Sequence, residues 1–168
     1  SSIANNYLRS VTVTKEFDLP KEKIWETISK ESNLELFHPF CKKNTVIKWS
    51  KENSIDQLEY LNGLIFQREF FEWEENKGYK LYIHQIGKPK SRVELKIKGD
   101  NYKSTINISV SPYLFNSGNK YLIVLPYYLI TRPFLLSYLE SVTSGLKYYL
   151  EQGKTVTKNQ YGKHIWFS

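Results

Sequence analysis

Residues Arg92–Val110, RVELKIKGDNYKSTINISV, carry the pattern on which the fold turns. Val93, Leu95 and Ile97 alternate with Arg92, Glu94, Lys96 and Lys98, a period of two that puts apolar side chains on one face of a strand and charges on the other. Gly99, Asp100 and Asn101 supply a turn, and from Ser104 to Leu114 the residues Ile106, Ile108 and Val110 resume the alternation. Strands joined by so short a turn lie antiparallel, with one dry face and one wet one. The same grammar extends upstream. Leu64–Glu75 (LIFQREFFEWEE) and Tyr79–Ile86 flank a turn at Asn76, Lys77 and Gly78, and Gly87–Lys90 turns the chain into Arg92. Shorter strands at Thr45–Trp49 and Gln57–Leu61 come before, the second closed by Asn62 and Gly63, a strong hairpin signal.

The flanks complete the order. Leu8–Leu19 alternates Val11, Val13 and Phe17 against Thr12, Thr14 and Glu16, a half-buried strand. From Pro20, PKEKIWETISK spaces Ile24, Trp25 and Ile28 as on a short amphipathic helix opened by proline. Ser32 and Asn33 begin a further turn or two through Leu34, Leu36 and Phe37, which His38 and Pro39 close. At the other end, Phe134–Gln152 places Leu135, Leu139, Val142, Leu146, Tyr149 and Leu150 on one helical face, about 28 Å long, with Gly153 as its cap. Gly145 inside that helix costs about 1 kcal/mol relative to Ala, so something is expected to approach that face closely. Residues 154–168 have no period but keep Tyr161, Ile165, Trp166 and Phe167, and are expected to pack on the body. Residues 1–168 thus read as one α+β domain, with 153–168 as a docked tail.

With 168 residues, 40% hydrophobic and 24% charged, the composition is far from that of disordered chains. The single Cys41 closes no internal disulfide, and SSIANNYLRS has neither the basic nor the apolar region of a signal peptide, so a cytoplasmic location is expected. Net charge is +7, but 20 of the 24 basic residues are Lys, scattered in pairs such as Lys42 and Lys43 or Lys96 and Lys98. Nucleic-acid readers favour clustered Arg forks, so no nucleic-acid partner is expected. Tyr121–Leu139 is mostly apolar, yet Pro126, Arg132 and Pro133 break it, which argues against a membrane span. We read residues 121–133, with Tyr127 and Tyr128 and the adjoining Phe134, as a lid over the body or as a lip for transient contact with a membrane surface.

The strand followed by DLPKEKIWETIS, the Gly-bounded meander, and the long final helix leading into GKTVTKNQYGKHIWFS together resemble the SRPBCC superfamily, the START-like, helix-grip proteins that include lipid carriers, polyketide cyclase/dehydrase-like proteins and birch-pollen-allergen-like proteins. The resemblance covers nearly the whole chain. It implies a curved seven-stranded antiparallel sheet wrapped around the long C-terminal helix, two short helices after strand one, and a cavity between sheet and helix. It does not select among carrier, receptor and enzyme.

His38, His84, His164 and Cys41 show no metal-ligand spacing, and no phosphate loop or dinucleotide fingerprint occurs, so neither metal nor cofactor is expected. Aromatic residues make up 15% of the chain. They suit the wall of an apolar cavity with a few polar tips. The expected ligand-binding residues are Phe37, His38, Tyr60, Phe66, Arg68, Phe70, Tyr79, His84, Tyr138 and Val142. Strand parity puts Phe66, Arg68 and Phe70 on one face and Ile65, Glu69, Phe71 and Trp73 on the other, so only one of Arg68 and Glu69 points inward. An inward Arg68 would hold a carboxylate or phosphate; an inward Glu69 would have its pKa raised and act as an acid. The alternative to either role is a cross-strand ion pair on the wet face. The expected function is binding or transport of a hydrophobic small molecule or lipid. The alternatives are a cyclase or dehydratase using inward acid/base groups, for which no catalytic residue is assigned, and a protein or membrane-surface interaction module with a filled core.

Overall fold

The computed structural model describes residues 9–113 and 127–168. Among them run β1 (Val11–Phe17), α1 (Lys21–Ile28), α2 (Leu34–Phe37), β2 (Cys41–Lys48), β3 (Ile55–Tyr60), β4 (Ile65–Glu74), β5 (Gly78–His84), β6 (Ser91–Gly99), β7 (Ser104–Ser111) and α3 (Arg132–Gln152). The strands form one antiparallel, curved sheet in the order β1-β7-β6-β5-β4-β3-β2. Five hairpin links build β2 to β7 as a meander, and β1 closes onto the far side of β7 with Val11 opposite Val110 and Phe17 opposite Ser104. The alternation in β6 and β7 holds: Leu95 and Ile97 pair with Ile108 and Ile106, and all four are buried.

Bulges bend the strands and shift their parity. The register of β4 against β5 slips between Phe70 and Glu72, so Phe71 is the extra residue and Trp73 pairs with Tyr79. Trp73 therefore lies on the side of Phe70, stacked on Tyr79 and edge-on to Trp25, rather than beside Glu69 as simple alternation predicts. Strand β2 also begins earlier than expected, at Cys41, because bulges after Cys41 and after Val46 interrupt its period.

Helix α3 packs on β1 and α2. Its apolar face buries Leu135, Leu139, Val142 and Leu146, and Gly153, at a φ of 67°, ends it with its N–H donating to Tyr149. Gly145 answers the expected close approach: a Cβ there would lie 2.1 Å from the Phe37 carbonyl oxygen. The tail returns along α2, with Val156 N–H donating to Leu36 and Asn159 N–H to Pro39, and its end is held by Asn62 Nδ2 donating to the Trp166 carbonyl at 2.7 Å.

The apolar connector falls largely outside this description, since residues 121–126 and the side chains of Tyr127 and Tyr128 are not among those described; Leu129 and Ile130, in the turn before α3, are exposed. No described helix is long and apolar enough to cross a membrane.

Replacing Gly145 with Ala tests the helix contact. The new methyl must push α3 away from Phe37, an overpacking cost of about 1–3 kcal/mol that outweighs alanine's better helix propensity. A denaturant midpoint equal to or above that of the parent protein would contradict it.

Candidate functional site

Between α3 and the concave face of the sheet lies a cavity of about 200 Å³. Its walls come from α2 (Leu34, Phe37), the sheet (Leu58, Leu81, Val93, Ile108 among others) and α3 (Leu135, Leu139), and almost all are apolar. Of the residues expected at a site, Phe37, His38, Tyr60, Phe66, Arg68, Tyr79, Tyr138 and Val142 all line it. Two do not. Phe70 is buried against Trp49, Trp73 and Tyr79, off the cavity wall. His84 follows Tyr79, Leu81 and Ile83 by one residue, so parity turns it to the opposite face of the sheet, where its Nε2 meets Glu69 at 3.1 Å.

Arg68 is the inward one of its pair, and it is already engaged. Its Nε and Nη2 donate to the two oxygens of Asp56 at 2.8 and 2.5 Å, across directly paired positions of β3 and β4. Asn44 Nδ2 adds a third bond to Asp56, at 3.0 Å, and the Asp56 side chain is wholly buried. Burial works against the Arg68 charge, but the Asp56 carboxylate more than offsets it and keeps the guanidinium protonated. A fork occupied in this way is not free for a ligand carboxylate or phosphate. Glu69 faces outward. Lys90, His84 and Gln67 all bond it, and despite partial burial they hold its carboxyl down to about 2.

A second polar group sits at the α2 end. Phe40 N–H donates to His38 Nδ1 at 3.2 Å, His38 Nε2 meets the Tyr138 hydroxyl at 2.7 Å, and that hydroxyl meets Tyr60 Oη at 2.9 Å. Burial, helped by the charge of Arg68, pulls His38 down to about 3, so the imidazole is neutral. Burial also lifts both tyrosines well above the usual phenol range. Tyr79, pushed up to about 12 by burial, donates instead to the Ile28 carbonyl. Cys41, likewise raised to about 12 by burial, is no nucleophile.

Phe167 closes this end, and sequence reasoning did not place it there. Its ring stacks on Tyr60 at 4.1 Å and on His164 at 5.3 Å, and lines the cavity. His164 holds the tail in place, its Nε2 donating to the Phe134 carbonyl at 2.9 Å while Nδ1 accepts from Trp166 N–H. Asp56 was also missed, although it lies two and four residues before the inward Leu58 and Tyr60. Among the described residues no group of His, Cys, Asp or Glu could hold a metal ion.

No protein-family model matches the chain, and no curated protein does. Solved structures match by shape. DynU16, a protein of the dynemicin biosynthetic locus, is 16% identical with a TM-score of 0.63 over 87% of this chain; the match covers 48% of DynU16, so this chain spans about half its length. The protein of unknown function SA2116 from Staphylococcus aureus is 12% identical at a TM-score of 0.61, over 86% of this chain and 96% of its own. Ara h 8.0201 is 10% identical at 0.60, over 86% and 99%. At such identities the likeness is one of fold, and the shared fold is the helix grip.

Two outcomes test the buried groups. Asp56→Asn leaves the Arg68 charge buried without its counter-ion and should cost about 3–5 kcal/mol in urea unfolding, while the Asp56→Leu/Arg68→Met pair recovers most of it. Acid should also destabilise through His38. The unfolded imidazole takes a proton below pH 6.5 and the folded one only near 3, so this contribution is complete above 6.5 and is lost on acidification through that window. Its slope is about 1.4 kcal/mol per pH unit. A His38→Gln variant should lose that slope between pH 6.5 and about 4.5, above the range where carboxylates take over; parallel stability curves would refute it.

Proposed function

We propose that this helix-grip chain of the SRPBCC type binds a hydrophobic small molecule of one or two rings in the cavity beneath α3. The observation that carries this reading is the cavity itself: about 200 Å³, walled by Leu, Ile, Val, Phe and Tyr, under a helix that does not fill the concave sheet. An apolar cavity of about 150 Å³ stays dry and takes up benzene, so this volume suits a ligand somewhat larger than one ring. Rings with polar tips let such a ligand be held by contact area and oriented by one or two hydrogen bonds.

Titratable groups do converge here, which favours acid/base catalysis as a second reading. None of them is tuned for it. A general acid or base works best with a pKa near the working pH, whereas burial drives His38 down to about 3 and Tyr60 and Tyr138 upward. At neutral pH they are fixed hydrogen-bonding groups, which supports binding over turnover.

Native mass spectrometry on protein purified without organic solvent, followed by extraction of whatever is bound, tests the proposal directly. A stoichiometric apolar adduct is expected, and Val142→Phe, which places a ring in the cavity, should reduce its occupancy at least tenfold while circular dichroism is unchanged. An adduct retained by that variant, or no adduct and no thermal shift with naphthalene-sized compounds, would overturn it.

A further inference from the structure

The hydrogen bonds at the α2 end of the cavity can be counted, and the count does not close. His38 Nδ1 accepts from the Phe40 N–H, so in the neutral ring the single proton sits on Nε2 and is donated to Tyr138 Oη. Tyr138 and Tyr60 each bring one more hydroxyl proton. One of these is used between the two hydroxyls. Three protons are thus present, and the two contacts consume two of them. Whichever tyrosine donates to the other, one O–H remains, and among the described residues neither hydroxyl has a further partner. Both side chains line the cavity. An unspent donor held against an apolar space carries a desolvation cost that a ligand acceptor would remove.

The charge around the cavity narrows the ligand further. Among the described residues that line it the Lys/Arg cation is Arg68, which Asp56 matches through two bonds, so the pair presents no net charge to a ligand. Burial holds both phenols in their protonated form. The polar end of the cavity is therefore a neutral donor, with no free cation beside it among the described residues.

We propose that the cavity ligand is an uncharged ring compound whose carbonyl oxygen accepts the spare proton of the Tyr60–Tyr138 hydroxyl pair; this rests on the reading of the cavity as a hydrophobic binding site. The same geometry selects against carboxylates, whose charge would be buried with no counter-ion to spare, and against hydrocarbons, which leave the donor unpaired. His38 acts as a positioning residue: by fixing its own proton on Nε2 it makes the chain of bonds end on a hydroxyl donor and not on an acceptor.

Three probes of nearly equal size test this by calorimetry and infrared spectroscopy: tetralin, 1-tetralone and 1-naphthoate. The ketone should bind about three- to tenfold tighter than tetralin, and naphthoate more weakly than either. The carbonyl stretch of bound tetralone should fall below its frequency in hexane, a readout that needs no variant. In a Tyr60→Phe/Tyr138→Phe protein that retains the parent circular dichroism, the preference for the ketone and the frequency shift should disappear together. Equal affinity for tetralone and tetralin with an unshifted carbonyl would overturn the carbonyl assignment while leaving a hydrophobic site. Tightest binding of naphthoate would overturn it in favour of an anion at Arg68. No binding of any probe would overturn the cavity reading and this inference with it.

Discussion

A single helix about 10–12 Å across has to cover the inner face of seven strands that, at about 4.8 Å apart, would span about 29 Å if laid flat. The face is apolar, so leaving it wet would cost most of the hydrophobic stabilisation that holds the sheet to the helix. Curling the sheet is the solution adopted here. Bulges in β2 and β4 bend it, and β1 joins β7 so that the far edge comes round to α3. A curled sheet meets the helix along its flanks and stands away from it in the middle, and what remains is the cavity.

The two ends of that space are filled in different ways, both with rings. At one end Trp25 from α1 meets Trp73, Tyr79, Phe70 and Trp49 in a continuous edge-to-face and stacked cluster. At the other, Tyr60, Tyr138, Phe40 and His38 meet Phe167 and His164 of the tail. Gly145 sets the height of the helix between them, since only a residue without Cβ lets α3 come within contact of the Phe37 carbonyl. The polar groups are set into this frame in closed networks. Asn44, Asp56 and Arg68 satisfy one another, and buried charges persist only when so paired. The His38–Tyr138–Tyr60 chain differs, since among the described residues one of its hydroxyl protons has no acceptor, and our proposal assigns that proton to a ligand.

What the sequence by itself determined is whatever depends on period and local chemistry. The seven strands, the two short helices and the long one follow from alternation, helical spacing and turn residues, and Gly145 announced a close approach because glycine has no other business inside a helix. Strand parity was enough to put Phe66 and Arg68 together; carried on from Tyr79 it would also have turned His84, which was expected at the cavity, to the other face. What only the tertiary structure decided is whatever depends on register between distant segments. The bulge at Phe71 moves Trp73 across the strand, and no local signal marks it. Asp56 finds Arg68 because β3 and β4 pair at those two residues, and that pairing converts a candidate ligand clamp into a neutral internal pair. Phe167, in a tail without any period, reaches Tyr60 across 107 positions of sequence because His164 and Asn62 hold the tail down. Side-chain direction within an element is a local property of the backbone, whereas the partner a side chain meets is set by how the whole sheet curls around one helix.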